Sequence, residues 1–559
     1  MSVGLHGDAK VAEYTEAGFW GHETWHELLS THASERGDRM AVCDPLNFEA
    51  LTGLEPRELT WSELAAYVDE LAQQLSAAGI RAGHVVGVQL PNGVALTASL
   101  LAITRIGAIA MPFAMQLGKH EIAHMGAVAS MRGFIGTARF GEHAPLDSFL
   151  AYRDEQSTLG PVLGLGDPLP DGVLPLVGES ADLPPAPSDS NECVTICLTS
   201  GTESAPKGVQ RCMNDWRPMA LASVDAADLG PDDVLLNPFP MVNMAGIAGM
   251  FLPWLLTGSR LVHHHPFDPQ VFFGQLARYQ ATYTVAPPAL LMLVLARDDI
   301  PAAVFGSLKV IGSGSAPLAP AMTNGWTEKF GIEVINAFGS NEGACIAGDP
   351  VTVPDRTDRA RLFPRFGSPN HTWPNRGSHG MQTRIVGAAG EVVDTAGAPG
   401  ELRVKGPGVF AGYIGNTATD PFDEDGYYRT GDVFEYVADD SGDLRYLRYV
   451  DRMKDIVVRG GQNISTAEVE SLLAAHPSIA EAAVIGIPDD VLGERACAFV
   501  VPAGEPPTME SIRDHLVGLG VASFKMPERI EIVEELPRNA VGKILKRNLR
   551  ATVGTEADA

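Results

Sequence analysis

The residue types that most directly suggest chemistry in this 559-residue chain are Thr199, Ser200, Gly201 and Thr202, with Lys207 and Gly208 closing the same short run, TSGTESAPKG. Small residues and hydroxyls let a loop wrap a phosphate chain with its backbone N–H groups, and Lys207 adds a positive charge. The run is not a P-loop of the GxxxxGK[ST] kind, because Pro206 precedes the lysine and glycine follows it. Three later runs also place small or ionisable residues after strand-like segments. SGSAPL (313–318) could let backbone lie flat against an aromatic base. NAFGSNE (336–342) ends in Glu342, a hard oxygen donor of the kind Mg²⁺ prefers. YRTGD (428–432) carries Asp432, whose carboxylate offers two acceptor oxygens. Near the C-terminus, residues 537–550 hold five cations, Lys543 among them, and no acid.

Helices and strands in alternation must position these runs. LTWSELAAYVDELAQQLSAAGI (59–80) has apolar residues at helical spacing, HVVGVQL (84–90) is a short apolar run, and helix then strand follow up to Phe113. The same alternation returns over 250–340, which predicts βαβ units around mostly parallel sheets. A proline-rich stretch at 183–192 reads as a surface connection. Beyond residue 380 short strands and Gly turns take over, and beyond 455 the pattern is that of a small α+β domain. The expected architecture is α/β. A large N-terminal domain (1–451) of mixed, mostly parallel sheets flanked by helices carries a β-rich subdomain, and a small mobile α+β C-terminal domain (452–559) follows.

The net charge of −28 argues against nucleic acid or an anionic membrane as a partner, since both reward positive charge. No apolar run reaches the length of a membrane span, and residues 1–20 lack the pattern of a signal peptide, so a cytoplasmic location is expected. The six cysteines are read as small buried residues. Cys193 and Cys197 are expected on one face of a strand, because strand residues alternate. His263–His265 alternate in the same way, so the three cannot all reach one metal, and they are assigned a structural or surface role.

Taken in order, these blocks resemble the adenylate-forming superfamily of acyl-CoA synthetases, aryl-acid ligases, peptide-synthetase adenylation domains and luciferases. The resemblance spans essentially the whole chain and implies two half-reactions: an acid and ATP give acyl-AMP and pyrophosphate, then the acyl group passes to coenzyme A. It implies that Thr199, Ser200, Gly201, Thr202 and Lys207 face the phosphates. Ser315, Ala316, Pro317, Asn336, Ala337, Phe338 and Gly339 would surround the adenine, with Phe338 stacked where relatives usually have tyrosine. Asp432 and Arg452 would hold the nucleotide's ribose side, Glu342 would hold Mg²⁺, and Asn341 would reach an α-phosphate or acyl oxygen. Lys543 falls at the adenylation lysine and Lys454 at the hinge. Arg459, Gly460 and Gly461 would meet coenzyme A after rotation of the small domain.

By the same resemblance the acyl pocket is lined by Met241, Val242, Asn243, Met244, Gly246, Ser313, Gly314, Gly343 and Cys345. These are apolar or small, and no charged group is available for an α-amino substituent, so a hydrophobic fatty, alicyclic or aromatic acid is expected. Three positions depart from the family pattern: Glu203, expected to face solvent, Asn341 in place of threonine, and Met241 where many relatives have histidine. The alternatives weighed are a stand-alone aryl-acid enzyme that loads a carrier protein, a non-catalytic nucleotide- or acyl-binding protein of the same fold, and a luciferase-like oxidase.

Overall fold

The computed structural model describes residues 4–153, 160–199, 207–415, 420–459, 462–489, 491–519, 521–539 and 543–554. Two eight-stranded sheets form the bulk of the chain. One runs from the edge strand Cys345–Gly348 through Glu333–Gly339, Val310–Gly314, Tyr283–Val285, Val234–Asn237, Arg260–His263 and Met40–Cys43 to Glu58–Thr60. Its six inner strands pair in parallel and its two edge strands pair antiparallel. The other sheet centres on Val85–Gln89 and carries Cys193–Leu198, Gly208–Cys212 and Tyr413–Ile414 towards one edge.

One apolar core joins the facing sides of both sheets with the helices between them. Helix Trp61–Ala77 begins where the sequence says it can: the Thr60 side chain accepts from Glu63 N, and the Glu63 carboxylate accepts from Thr60 N at 2.8 Å. Helix Val94–Arg105 is buried from Val94 to Thr104, as its almost unbroken apolar sequence requires. Trp61 and Trp254 stack at 4.8 Å in the same core. Separate apolar clusters cover the outer faces of the two sheets.

A five-stranded antiparallel sheet (Leu362–Pro364, Leu444–Arg452, Tyr428–Ala438, Pro399–Lys405 and Gln382–Val386) holds its own core of aromatic side chains. The chain leaves this sheet at Arg452 and enters the last sheet at Val457, whose two faces are covered by helices Thr466–Leu473, Met509–Gly518 and Lys546–Gly554. Among the described residues, no helix is long and apolar enough to cross a membrane.

One expectation needs correction. Cys193 and Cys197 do not share a face: a bulge between Cys193 and Thr195 adds one residue to the strand and reverses the alternation. Cys197 therefore enters the core between the sheets while Cys193 packs against the outer cluster. The three histidines take the structural one of the two roles expected for them. All are buried: His263 Nε2 lies 2.8 Å from Thr97 Oγ1, His264 Nδ1 2.7 Å from Gln275 Oε1, and the His265 ring stacks on Phe140. Burial pushes His263 down to about 3 and His265 to about 4, so both stay neutral.

Candidate active site

The strand Cys193–Leu198 delivers Thr199 to the mouth of the phosphate-type loop. Thr199 N donates to Lys207 O at 2.9 Å and Lys207 N donates to Thr199 Oγ1 at 3.2 Å, so the two ends are clipped together. Ser200, Gly201, Thr202 and Glu203 lie outside the described residues. Lys207 Nζ sits 4.9 Å above the Tyr413 ring, and Tyr413 Oη donates to Glu342 Oε1 at 2.9 Å. Tyr413 was not singled out in the sequence, where AGYIG carries no chemical pattern; it arrives through pairing with Val209 at the strand edge.

Glu342 is buried at 8% exposure, and its carbonyl accepts from Phe410 N. The turn after it needs a glycine. Gly343 has φ +122°, and a Cβ there would lie 2.2 Å from Gly408 O. A carboxylate held this way suits Mg²⁺, which takes one or two protein carboxylates and completes its shell with phosphate oxygens and water.

Asp432 and Arg452 face each other across neighbouring strands, with Arg452 Nε 2.6 Å from Asp432 Oδ1. The contact is an ion pair without hydrogen-bond geometry, and Oδ1 is left buried with no hydrogen-bond partner among the described residues. Burial, reinforced by Glu342 and Asp451 and opposed by Arg452 and Lys543, pushes the Asp432 carboxyl up to about 6. Lys543 comes from the far end of the chain. Its backbone is tied to Asn539: Lys543 N donates to Asn539 Oδ1 and Asn539 N to Lys543 O, both at 2.8 Å. The residue as a whole is exposed, yet crowding at its charged end, with Arg452 and Lys454 nearby, pushes it down to about 8 against the pull of Asp432.

On the base side, Ser315, Ala316 and Pro317 are exposed beyond the strand Val310–Gly314, and Ser315 has φ +69°. Gly314 is in close contact with its neighbour strand, since a Cβ there would meet Ala337 O at 2.2 Å. Phe338 is half-buried, edge-on to Phe434 at 5.0 Å, between exposed Ala337 and Gly339. Asn336 faces the other way: it is buried and donates to Arg359 O and Ala360 O, bracing the strand.

The segment Met241–Gly246 is fixed by asparagines. Met241 is fully buried, and its N–H donates to Asn92 Oδ1 at 3.2 Å. Asn243 caps the short helical turn, accepting from Ala245 N and Gly246 N. Met244 N donates to Asn341 Oδ1 at 2.7 Å, while Asn341 Nδ2 donates to Leu198 O at 3.1 Å. Asn341 thus has both ends of its amide engaged with backbone. Gly246 packs against Pro240 O, where a Cβ would come within 2.3 Å, and a π-helical turn, Ile247–Phe251, follows. Val242 and Cys345 are half-buried, Ser313 is buried and donates to Ala286 O, and burial pushes the Cys345 thiol up to about 12.

The structure therefore brings Lys207, Glu342, Asp432, Arg452 and Lys543 towards one place. It does not bring Arg459, which pairs with Glu528 at 2.6 Å; Gly460 and Gly461 lie outside the described residues. Around Lys454, Arg550 donates to Lys454 O and to Asp455 Oδ1, and Asp451 Oδ2 accepts from Thr466 N, Thr466 Oγ1 and Ala467 N.

Two family models match. Residues 29–414 fit the AMP-binding enzyme model, and residues 468–543 fit the AMP-binding enzyme C-terminal domain. The chain is 32% identical to the indoleacetate–CoA ligase of Aromatoleum aromaticum, over 90% of this chain and 96% of the relative. It is 31% identical to the salicyl-AMP ligase / salicyl-S-ArCP synthetase of Mycobacterium tuberculosis, over 98% of this chain and 93% of the relative. Among solved structures, ATP-bound MatB from Rhodopseudomonas palustris superposes with a TM-score of 0.78 at 26% identity, over 94% of this chain and 98% of that one.

Proposed function

This chain belongs to the AMP-binding enzyme family, and we propose that it activates a hydrophobic carboxylic acid (fatty, alicyclic or aromatic) as its acyl-AMP and then passes the acyl group to coenzyme A. The observation that carries this reading is the buried Asp432, ion-paired with Arg452 and feeling the charge of both Glu342 and Lys543, residues drawn from three separate parts of the chain. In the first half-reaction a carboxylate oxygen of the acid attacks the α-phosphorus of ATP. A P–O bond forms there as the bond to the β-phosphate bridging oxygen breaks, and pyrophosphate leaves.

Asp432, held beside Arg452 by their ion pair, accepts hydrogen bonds from the ribose hydroxyls. Lys207 and the loop behind Thr199 hold the phosphates, and the half-buried Phe338 face packs beside the adenine. The Lys543 ammonium stabilises charge developing on the attacking and bridging oxygens. Glu342 would hold Mg²⁺, which neutralises phosphate charge when bound.

For the second half-reaction the unit that begins at Arg452, residues 452–559, turns about Lys454 and withdraws Lys543. The thiol of coenzyme A then attacks the acyl carbonyl and AMP leaves, with Arg459, Gly460 and Gly461 brought towards the pantetheine. The six unpaired cysteines are in keeping with a reducing, cytoplasmic compartment. A second reading, that the thiol belongs to a carrier protein, draws on the likeness to the salicyl-S-ArCP synthetase.

The test is acid-dependent ATP–pyrophosphate exchange across fatty, alicyclic and aromatic acids, followed by AMP release with and without coenzyme A. Exchange with coenzyme A-dependent AMP release is the expected result. Exchange without it moves the acceptor to a carrier protein, and no exchange with any acid overturns the adenylation reading.

A further inference from the structure

The strand Glu333–Gly339 ends on a bare glycine, and the space above that glycine is filled. A Cβ on Gly339 would fall 1.7 Å from Met244 Cε, so the Met244 methyl lies where a side chain of residue 339 would begin. The surroundings are backbone and small residues that cannot retreat. Ala344 O would be 2.9 Å from the same Cβ, Gly343 is pressed on Gly408, and Gly246 on Pro240. Met244 is the long, unbranched side chain among them. It is half-buried, with rotatable bonds that let a thioether move aside or fill the gap.

Its backbone, in contrast, is held. Asn341 Oδ1 takes Met244 N at 2.7 Å, and the other end of the same amide donates to Leu198 O, immediately before Thr199. We propose that Met244 is the size gate of the acyl slot, seated on Gly339 and tied by Asn341 to the root of the phosphate loop. The proposal rests on the adenylation reading above and specifies it. With the thioether on Gly339 the slot takes compact acids, a single ring or a short chain, and longer acids react only at the cost of moving it. Asn341 acts here as a positioning residue for the gate.

The experiment is ATP–pyrophosphate exchange by the full chain, with straight-chain acids from butanoate to tetradecanoate and with benzoates bearing para-alkyl groups of increasing length. Wild type should prefer the compact members. Met244→Ala should move the optimum to longer members and change the long-to-short ratio of kcat/KM by roughly tenfold or more, the scale of discrimination by a few methylenes in an apolar pocket. Met244→Leu, which keeps the bulk, should retain the wild-type profile.

Asn341→Ala should loosen the preference through KM for the acid rather than kcat. The double variant should lose no more selectivity than Met244→Ala alone, because both act on one element. Wild-type exchange with an unchanged length profile in Met244→Ala overturns the gate and leaves adenylation standing. Absence of acid-dependent exchange in wild type overturns the adenylation reading, and the gate with it.

Discussion

The strand Gly208–Cys212 has a charged cluster at each end, and the two behave differently. At its start, Lys207, Tyr413 and Glu342 lead towards Asp432, Arg452 and Lys543. At its end, His6 Nε2 lies 2.6 Å from Asp215 Oδ1, Lys10 Nζ lies 3.1 Å from His6 Nδ1, and the buried Arg211 donates to Gly408 O. His6, Cys212 and Asp215 even present ligand-type atoms within 4.8 Å of one another. Yet in that second cluster the charges balance one another, although Arg211 Nε is buried with no hydrogen-bond partner among the described residues. Asp215 accepts from Cys212 N, and although burial opposes it, His6, Arg211 and Lys10 hold its carboxyl below the usual range. With two cations beside it, there is no charge left for a metal to balance. In the first cluster burial wins, and Asp432 is pushed up to about 6 despite its ion pair with Arg452. Residue type does not separate the two clusters; the balance of burial against neighbouring charge does.

The largest expected effect breaks the open cluster. Lys543→Ala should lower pyrophosphate exchange by about 10²- to 10³-fold, the usual loss for one group aimed at developing charge, while thiolysis of supplied acyl-AMP stays near wild type. Equal loss in both half-reactions would remove Lys543 from the first step.

Asp215→Asn and Asp432→Asn set the clusters against each other. The first should destabilise the fold by about 3–5 kcal/mol, because it leaves buried His6 and Arg211 uncompensated. That deficit should shrink as pH falls and wild-type Asp215 itself becomes protonated. The second should leave Tm at or above wild type, since it removes a carboxylate that burial disfavours, while ATP affinity drops. Chemical denaturation and ATP titration distinguish them, and a large loss of stability in Asp432→Asn would collapse the contrast.

The rate should also follow a bell. Asp432 must be ionised to accept the ribose hydroxyls, so kcat/KM should fall below about pH 6. Lys543 must be charged, so it should fall above about pH 8. Lys543→Arg should move only the alkaline limb upward; an unmoved limb would assign it to another group. The smallest effect is Tyr413→Phe, which removes one hydrogen bond to Glu342 and should cost roughly threefold to tenfold in kcat/KM, with a raised Mg²⁺ requirement.

Much of the fold was legible because the apolar period is regular. The helix within 59–80, the helix then strand over 94–113 and the turn to short strands past 380 each appear as the sequence suggests. What escaped depends on geometry that no local pattern carries. The pairing of His6 with Asp215 joins residues 209 apart. A single bulge sent Cys193 and Cys197 to opposite faces. Tyr413 and Asn92 act through positions set by strand pairing and loop packing, and each looks ordinary in its own neighbourhood. Asn341 was legible as a departure from a pattern, but its two backbone partners, Leu198 and Met244, lie 143 and 97 residues away.

The basic segment that carries Lys543 has one more consequence. Arg538 binds Glu481, Lys546 binds Glu470 and Arg550 binds Asp455, so these cations anchor the segment to its own half of the molecule. Lys543, by contrast, lies where it feels the charge of Asp432, in a protein whose overall charge is −28. If the last unit rotates as proposed, closure would be partly an attraction between a cationic finger and an anionic body, felt over about 10 Å at ordinary ionic strength and less as salt is added. Rising salt should therefore slow acyl-AMP formation before it touches the stability of either half, making ionic strength a dial on the balance between the closed and withdrawn positions of the lysine.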